Sequence, residues 1–138
     1  MATYSGMGRT NTFAVKDVAK LAAELEPAGI QVLDRGDNHV TLLADPYGDG
    51  DWSSWVFDDD GDDEGHQLYI PDLIAEHLMD GETAIFEHVG NEKLRYLCGY
   101  STAVHADGRQ ITISLTDMYK RAAQEFGVEL DRITEATY

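Results

Sequence analysis

Cysteine, basic residues and long apolar runs are all scarce in this sequence. The one cysteine, Cys98, excludes an internal disulfide and a cysteine-rich metal site. No apolar run reaches the ~20 residues that a membrane-spanning helix needs. The first residues also lack the basic-then-apolar order of a secretion signal. We therefore expect a protein of a reducing cytoplasm.

Basic residues number 10 against 26 acidic ones, which gives a net charge of −16 and a pI near 4.3. Such a protein lacks the electrostatic attraction that draws proteins to DNA phosphates or to anionic lipids. A partner selected by charge is expected to be basic, and nucleic-acid-binding proteins form the largest such class. The apolar fraction of 43% fits a folded domain and not a disordered acidic tail.

The negative charge is confined to the middle of the chain. Residues 36–92 contain no Lys or Arg and hold 16 of the 26 acidic residues. The other 10 acidic residues are balanced by all 10 basic ones, so the central region accounts for the whole net charge. A general solubility effect would not require this segregation, which therefore points to a dedicated acidic surface.

Apolar periodicity and turn residues predict one α+β domain over residues 1–138, with a mostly antiparallel sheet and three helices. The predicted strands are 9–14, 30–33, 39–44, 52–57, 83–89, 94–104 and 109–113, and the predicted helices are 16–26, 70–79 and 114–126. The last helix opens on Ser114-Leu-Thr-Asp117, which resembles a capping box.

The predicted helix 70–79 carries the sharpest local acidic pattern. Asp72, Glu76 and Asp80 recur every four residues, which would place three carboxylates on one helical face. Like charges at this spacing oppose helix formation by roughly 0.2–0.5 kcal/mol per pair. The pattern indicates either a solvated acidic face or a surface that binds a basic partner.

The segment Asp58-Asp-Asp-Gly-Asp-Asp-Glu-Gly65 could attract cations, because hard cations bind clustered carboxylates. An EF-hand alignment on Gly65 fails, since Pro71 occupies the position of the bidentate Glu. We therefore expect no specific metal site and no cofactor.

A third interpretation treats the acidic region as an imitation of nucleic acid, because rows of carboxylates approach the charge density of a phosphate backbone. The candidate partner-binding residues are Asp45, Asp49, Asp51, Asp58, Asp59, Asp60, Asp62, Asp63, Glu64, Asp72, Glu76 and Asp80. Tyr47 and Trp52 are candidate aromatic anchors, since aromatic residues dominate binding hot spots. Trp55 and Phe57 are expected in the core.

Signals for catalysis are weak. Cys98 lies in the middle of a predicted strand and is expected to be a core thiol. The five histidines are scattered and form no short metal-binding pair, and Gly99-Tyr-Ser101 is not a nucleophile elbow, because Ala103 replaces its second glycine. We expect that the protein is not an enzyme.

Two short segments resemble a known group of proteins. They are Arg9-Thr-Asn-Thr-Phe13, which leads into Val15-Lys-Asp17, and Glu92-Lys-Leu-Arg-Tyr96, which is followed by Gly99-Tyr100. They are similar to segments of small acidic accessory proteins of bacteriophages and integrative mobile elements. The resemblance implies a mobile-element origin, where such proteins often block host defence as antirestriction or anti-CRISPR factors.

The leading hypothesis is an inhibitory DNA mimic that occupies the nucleic-acid-binding surface of a host defence complex in the host cytoplasm. It predicts a basic protein partner and no direct contact with nucleic acid or membrane. One alternative is an acidic halophile-type or accessory globular protein, which the 16 Asp, 10 Glu and four Lys residues also suit. Another alternative is a weak cation-binding protein.

Overall fold

A seven-stranded antiparallel sheet forms the framework of the domain. The computed structural model describes residues 4–45, 48–56, 64–93 and 95–136. The strands are β1 (Tyr4–Thr10), β2 (Phe13–Ala14), β3 (Gln31–Gly36), β4 (His39–Leu43), β5 (Ser53–Val56), β6 (His66–Tyr69), β7 (Thr83–Glu92), β8 (Tyr96–His105) and β9 (Gln110–Ser114). Strand β4 lies between β3 and the β1–β2 segment, and β1, β7, β8 and β9 follow in that order. Strands β5 and β6 form a separate hairpin.

A bend at Asn11 separates β1 from β2. The Asn11 Oδ1 atom accepts a 2.7 Å hydrogen bond from the Ile85 amide, and Nδ2 donates to the Thr83 carbonyl at 3.1 Å. The side-chain amide thus pairs with β7 where the β1 ladder ends, and it frees the next residues to pair with β4. Asn11 therefore has a structural role within the Arg-Thr-Asn segment.

Three α-helices accompany the sheet: α1 (Val18–Leu25), α2 (Ile70–Ile74) and α3 (Asp117–Phe126). Asp17 begins α1, because its carboxylate accepts a 3.1 Å hydrogen bond from the Lys20 amide. Helix α1 buries Leu21 and Leu25, whereas α3 buries no residue. Among the described residues, no helix is long and apolar enough to cross a membrane.

The core lies between one face of the sheet and a second layer of chain. This second layer, called the covering layer, consists of α1 and of residues 48–56 and 64–80. Strand β7 shows the sidedness of the sheet, because Ala84 and Phe86 are fully buried while Glu87 and Val89, on the opposite face, are exposed. The covering layer contributes Leu21, Leu25, Trp52, Val56, Ile70, Ile74 and Leu78 to the core.

The structure confirms the predicted α+β class and the mostly antiparallel sheet. Sequence periodicity missed the first half of β1, where Gly6 and Gly8 replace the β-branched residues typical of strands, and it missed β6. The predicted helix 114–126 begins later than expected, at Asp117, because Ser114 is the last residue of β9; the Asp117 carboxylate accepts a 2.7 Å hydrogen bond from the Ser114 amide, but no capping box forms at the helix start.

Candidate functional site

Residues 48–52 lie directly on β1, because two glycines leave room for them. A Cβ atom on Gly8 would lie 2.5 Å from the Gly50 carbonyl oxygen, and one on Gly6 would collide with the Asp49 carbonyl oxygen. Gly50 itself has φ +74°, a conformation that favours glycine. This close approach fixes the backbone of the segment while the Asp49 side chain remains exposed.

Asp51 and Asp72 are fixed against the core-facing side of β8 and β9. The Tyr100 hydroxyl donates a 2.6 Å hydrogen bond to Asp51 Oδ1, and Gln110 Nε2 donates a 3.1 Å hydrogen bond to Asp72 Oδ1. Gln110 pairs with Val104, four residues beyond Tyr100 on β8. At ~3.3 Å per residue, the strand positions that hold the two carboxylates are about 13 Å apart along the strand direction.

The predicted helix 70–79 is wrong in its second half. Helix α2 ends at Ile74, residues 75–77 form a 3-10 turn, and Leu78 is extended with ψ 139°. Asp72 therefore lies in α2, Glu76 in the 3-10 turn and Asp80 beyond both. The three side chains are exposed but do not stack on one helical face. Leu78 is extended because it forms a β-bridge with Val15, and this tertiary pairing overrides the helical pattern.

Other predicted acidic residues have varied environments. Glu64 is exposed and lies two residues before β6. Asp45, in contrast, is half-buried, with its carboxylate beside Gly29 and Gly48. The predicted partner-binding residues Asp58, Asp59, Asp60, Asp62 and Asp63 lie outside the described residues, and so do Tyr47 and Phe57. Within the described ranges, no group of three His, Cys, Asp or Glu side chains is placed to hold a metal ion.

Two predictions for the tryptophans are wrong. Trp52 was predicted as a binding anchor, but it is fully buried, its ring lies edge-on to Phe86 at 4.9 Å and its Nε1 donates to the Glu87 carbonyl at 3.0 Å. Trp55 was predicted in the core, but it is 57% exposed on the β5–β6 hairpin, with its Nε1 3.3 Å from the Glu64 carbonyl. The next residue, Val56, lies on the opposite face of β5 and is buried.

Cys98 was predicted to be a core thiol, but it is exposed. The covering layer does not extend over this end of β8, where Tyr96 and Cys98, both on the core-facing side, are exposed. Cys98 hydrogen-bonds Tyr4, and burial followed by this bond raises the pKa of the Tyr4 hydroxyl to about 12.

A buried polar cluster centred on His88 was not predicted. His88 Nδ1 lies 2.8 Å from the Gly50 carbonyl oxygen, which only accepts, so Nδ1 carries a proton. His88 Nε2 lies 2.5 Å from the Tyr4 hydroxyl. The Tyr4 and Tyr100 rings lie on His88 at centroid distances of 5.9 and 5.2 Å. Through these contacts the cluster joins residues 50 and 51 to β1, β7 and β8.

The structure also reveals an apolar surface that sequence reasoning missed. The face of β1, β7, β8 and β9 opposite to the core is called the outer face. It includes Met7, Val89, Ile111 and Ile113, all at least 60% exposed. The alternation of Ile111 and Ile113 with polar residues was the available signal, but it also fits a strand whose apolar side faces a core.

Comparison of the chain with protein-family models, with curated proteins and with solved structures finds no match. The functional interpretation therefore rests on the geometry and charge of the chain itself.

Proposed function

We propose that the protein is an inhibitory binding module that imitates DNA and occupies the basic nucleic-acid-binding surface of a host defence complex of the antirestriction or CRISPR type. The observation that carries this proposal is the placement of the acidic residues. Asp49, Asp51, Glu64, Asp72 and Glu76 all belong to the covering layer. Within the described part of β1, β7, β8 and β9, the outer face has one acidic strand residue, Glu87, whereas these five acidic residues lie on the other side of the sheet.

The spacing of the fixed carboxylates supports the proposal. The ~13 Å between the strand positions of Tyr100 and Gln110, which hold Asp51 and Asp72, corresponds to about four nucleotide steps of one DNA strand, at ~3.4 Å per step. The hydrogen bonds from Tyr100 and Gln110 hold both carboxylates before any partner binds. Asp49 and Glu76 add two exposed carboxylates to the same covering layer. A rigid row loses little conformational entropy when it enters a groove lined by Lys and Arg.

Trp55 supplies an apolar contact beside the carboxylates. It lies next to Glu64 on the hairpin whose strands are joined by the acidic segment 57–63. Exposed tryptophans are enriched among binding hot spots, and an indole face also attracts guanidinium groups. Trp55 thus takes the anchoring role that the sequence suggested for Trp52.

Displacement of DNA by charge variants tests the proposal. Purified restriction and CRISPR-type complexes are loaded with a fluorescent duplex and titrated with the protein while anisotropy is recorded. The layer variant carries Asp49→Asn, Asp72→Asn, Glu76→Gln and Asp80→Asn. We expect it to need at least about tenfold more protein for displacement, since each tenfold corresponds to ~1.4 kcal/mol.

A matched control has the same charge change in another part of the molecule. It carries Glu87→Gln, Glu92→Gln, Glu125→Gln and Glu129→Gln, all at exposed positions. Both variants have a net charge of −16 + 4 = −12. Equal losses in the two variants would show that only total charge matters and would contradict the proposal. The proposal would also be contradicted if the unmodified protein displaced DNA from none of the complexes.

A further inference from the structure

The outer face and α3 present one continuous apolar surface. Its large side chains are each more than half exposed; they are Met7, Val89, Leu97, Ile111, Ile113, Leu115, Met118 and Phe126. Antiparallel sheets commonly expose one face to water, but that face is then mostly polar. The apolar character of this one indicates that it is covered by another molecule.

Strand register shows that the surface is continuous. Met7 pairs with Val89, and Val89 pairs with Gly99. Leu115 lies over Gly99, since its side chain is 3.0 Å from the position of a Cβ there and its amide donates to the Gly99 carbonyl at 2.9 Å. This apolar row crosses three strands, reaches Leu115 just after β9 and ends in a groove of about 420 Å³ beside Met118.

Helix α3 extends this surface and contributes no buried residue to the core of the chain. Met118, Ala122 and Phe126 follow one another at intervals of four residues and therefore share one face of the helix. No residue of α3 is buried, and Phe126 is 77% exposed. A helix of 10 residues is marginal in water unless an apolar face is packed. The exposed face of α3 is thus expected to find its packing partner outside the chain.

The apolar area of this surface is close to the apolar area that one subunit buries in a typical homodimer. A large aliphatic side chain carries roughly 60–120 Å² of apolar surface, so eight side chains that are mostly exposed offer on the order of 450 Å². A standard interface buries about 800 Å² per partner, of which about 65% is apolar in homodimers, or roughly 500 Å².

The charge of the surface favours a second copy of the same chain. Two molecules of net charge −16 repel each other, and at physiological salt this repulsion is weakest where the facing surfaces are neutral. On the outer face, Arg9 pairs in register with Glu87. On α3, Asp117 precedes Arg121 by one helical turn, so acidic and basic residues balance there as well. The acidic covering layer is on the opposite side of the sheet.

We propose that two copies of this chain pack with their outer faces together, each contributing its sheet and α3. Met7 and Val89 lie on inner strands, so packing of the faces is required; pairing of the β9 edges alone would leave them in water. The dimer would present one acidic covering layer on each side. This inference does not depend on the proposed DNA mimicry.

Sedimentation velocity at physiological salt, over a wide range of protein concentration, tests the dimer. We expect the unmodified protein to sediment as a species whose molar mass is twice the 15.3 kDa of one chain. Val89→Lys and Ile113→Lys should each raise the dissociation constant at least ~100-fold, since they place a charge in the centre of the interface. Trp55→Lys, at an exposed position of the covering layer, is the control and should leave the dimer intact.

Circular dichroism of each variant shows that the fold is retained. Three results would each overturn the proposal. The unmodified protein could sediment as a monomer at every concentration, which would also be the result if the surface binds a different protein. The folded outer-face variants could remain dimeric, or Trp55→Lys could dissociate the dimer as strongly as they do. Since no DNA-binding complex enters this experiment, its outcome is separate from that of the displacement assay.

Discussion

The hydrogen bond from Tyr100 to Asp51 holds residues 48–52 against the sheet, and its removal has a calculable effect. Tyr100→Phe keeps the ring on His88 and deletes only the hydroxyl that lies 2.6 Å from the carboxylate. Hydrogen bonds to charged groups contribute ~1.5–3 kcal/mol. We expect the variant to lose about that much free energy of unfolding, which is roughly 5–10 °C in melting temperature for a domain of this size.

Urea unfolding followed by circular dichroism measures this loss. Tyr96→Phe is the control, because Tyr96 lies on the same strand but is 52% exposed. Adding Asp51→Asn to Tyr100→Phe should cost less than the sum of the single losses, since both changes remove the same bond. A loss for Tyr100→Phe within about 0.5 kcal/mol of the Tyr96→Phe value would refute the assigned role of the bond.

The same bond predicts a pH dependence. Burial, followed by the hydrogen bond to Asp51, raises the pKa of the Tyr100 hydroxyl above its ordinary value of 10.0. A raised pKa in the folded state gives stability that is fully present below pH 10 and is lost as the pH rises through the folded-state pKa. The unmodified protein should therefore lose stability more steeply above pH 10 than Tyr100→Phe does. Parallel curves for the two proteins would contradict this assignment.

The remaining predictions concern packing and charge. Trp52→Ala should cost about 3–5 kcal/mol in urea unfolding because it opens a cavity in the core, whereas Trp55→Ala should stay within about 0.5 kcal/mol; similar losses would refute the assigned burial. Gly8→Ala should cost about 1–3 kcal/mol because its methyl group would displace the Gly50 carbonyl, whereas Gly48→Ala, which meets only the Asp45 side chain, should cost less than about 1 kcal/mol. In dilute buffer the protein should remain folded, and added salt should raise its urea midpoint through screening; unfolding in dilute buffer would instead favour the halophile alternative.

Much of the fold could be predicted because local patterns and tertiary packing agree there. In β7, the buried Ala84 and Phe86 alternate with the more exposed Thr83, Ile85 and Glu87, and Gly127 ends α3 with φ +65°. The patterns failed where tertiary contacts decide the structure. The first half of β1 carries glycines because residues 48–52 lie on it, and the helix after Ile74 ends because Leu78 pairs with Val15.

The candidate site could be predicted in its charge but not in its contacts. Composition locates the acidic region, yet nothing in the sequence indicates that Tyr100 and Gln110 bind Asp51 and Asp72, since these pairs are 38 or more residues apart. The predictions for Trp52 and Trp55 were the wrong way round because the sequence does not show which of the two aromatic residues faces the core. The outer face was missed for a similar reason, because an apolar alternation does not reveal whether its partner belongs to the same chain.

The most direct test of DNA mimicry is whether the protein and DNA exclude each other from one surface. The apparent dissociation constant of the protein for a responsive defence complex is measured by surface plasmon resonance at increasing concentrations of free duplex. Imitation of DNA predicts that this constant rises in proportion to the duplex concentration without a plateau. A constant that does not change with duplex, or that levels off while both ligands remain bound, would contradict the account.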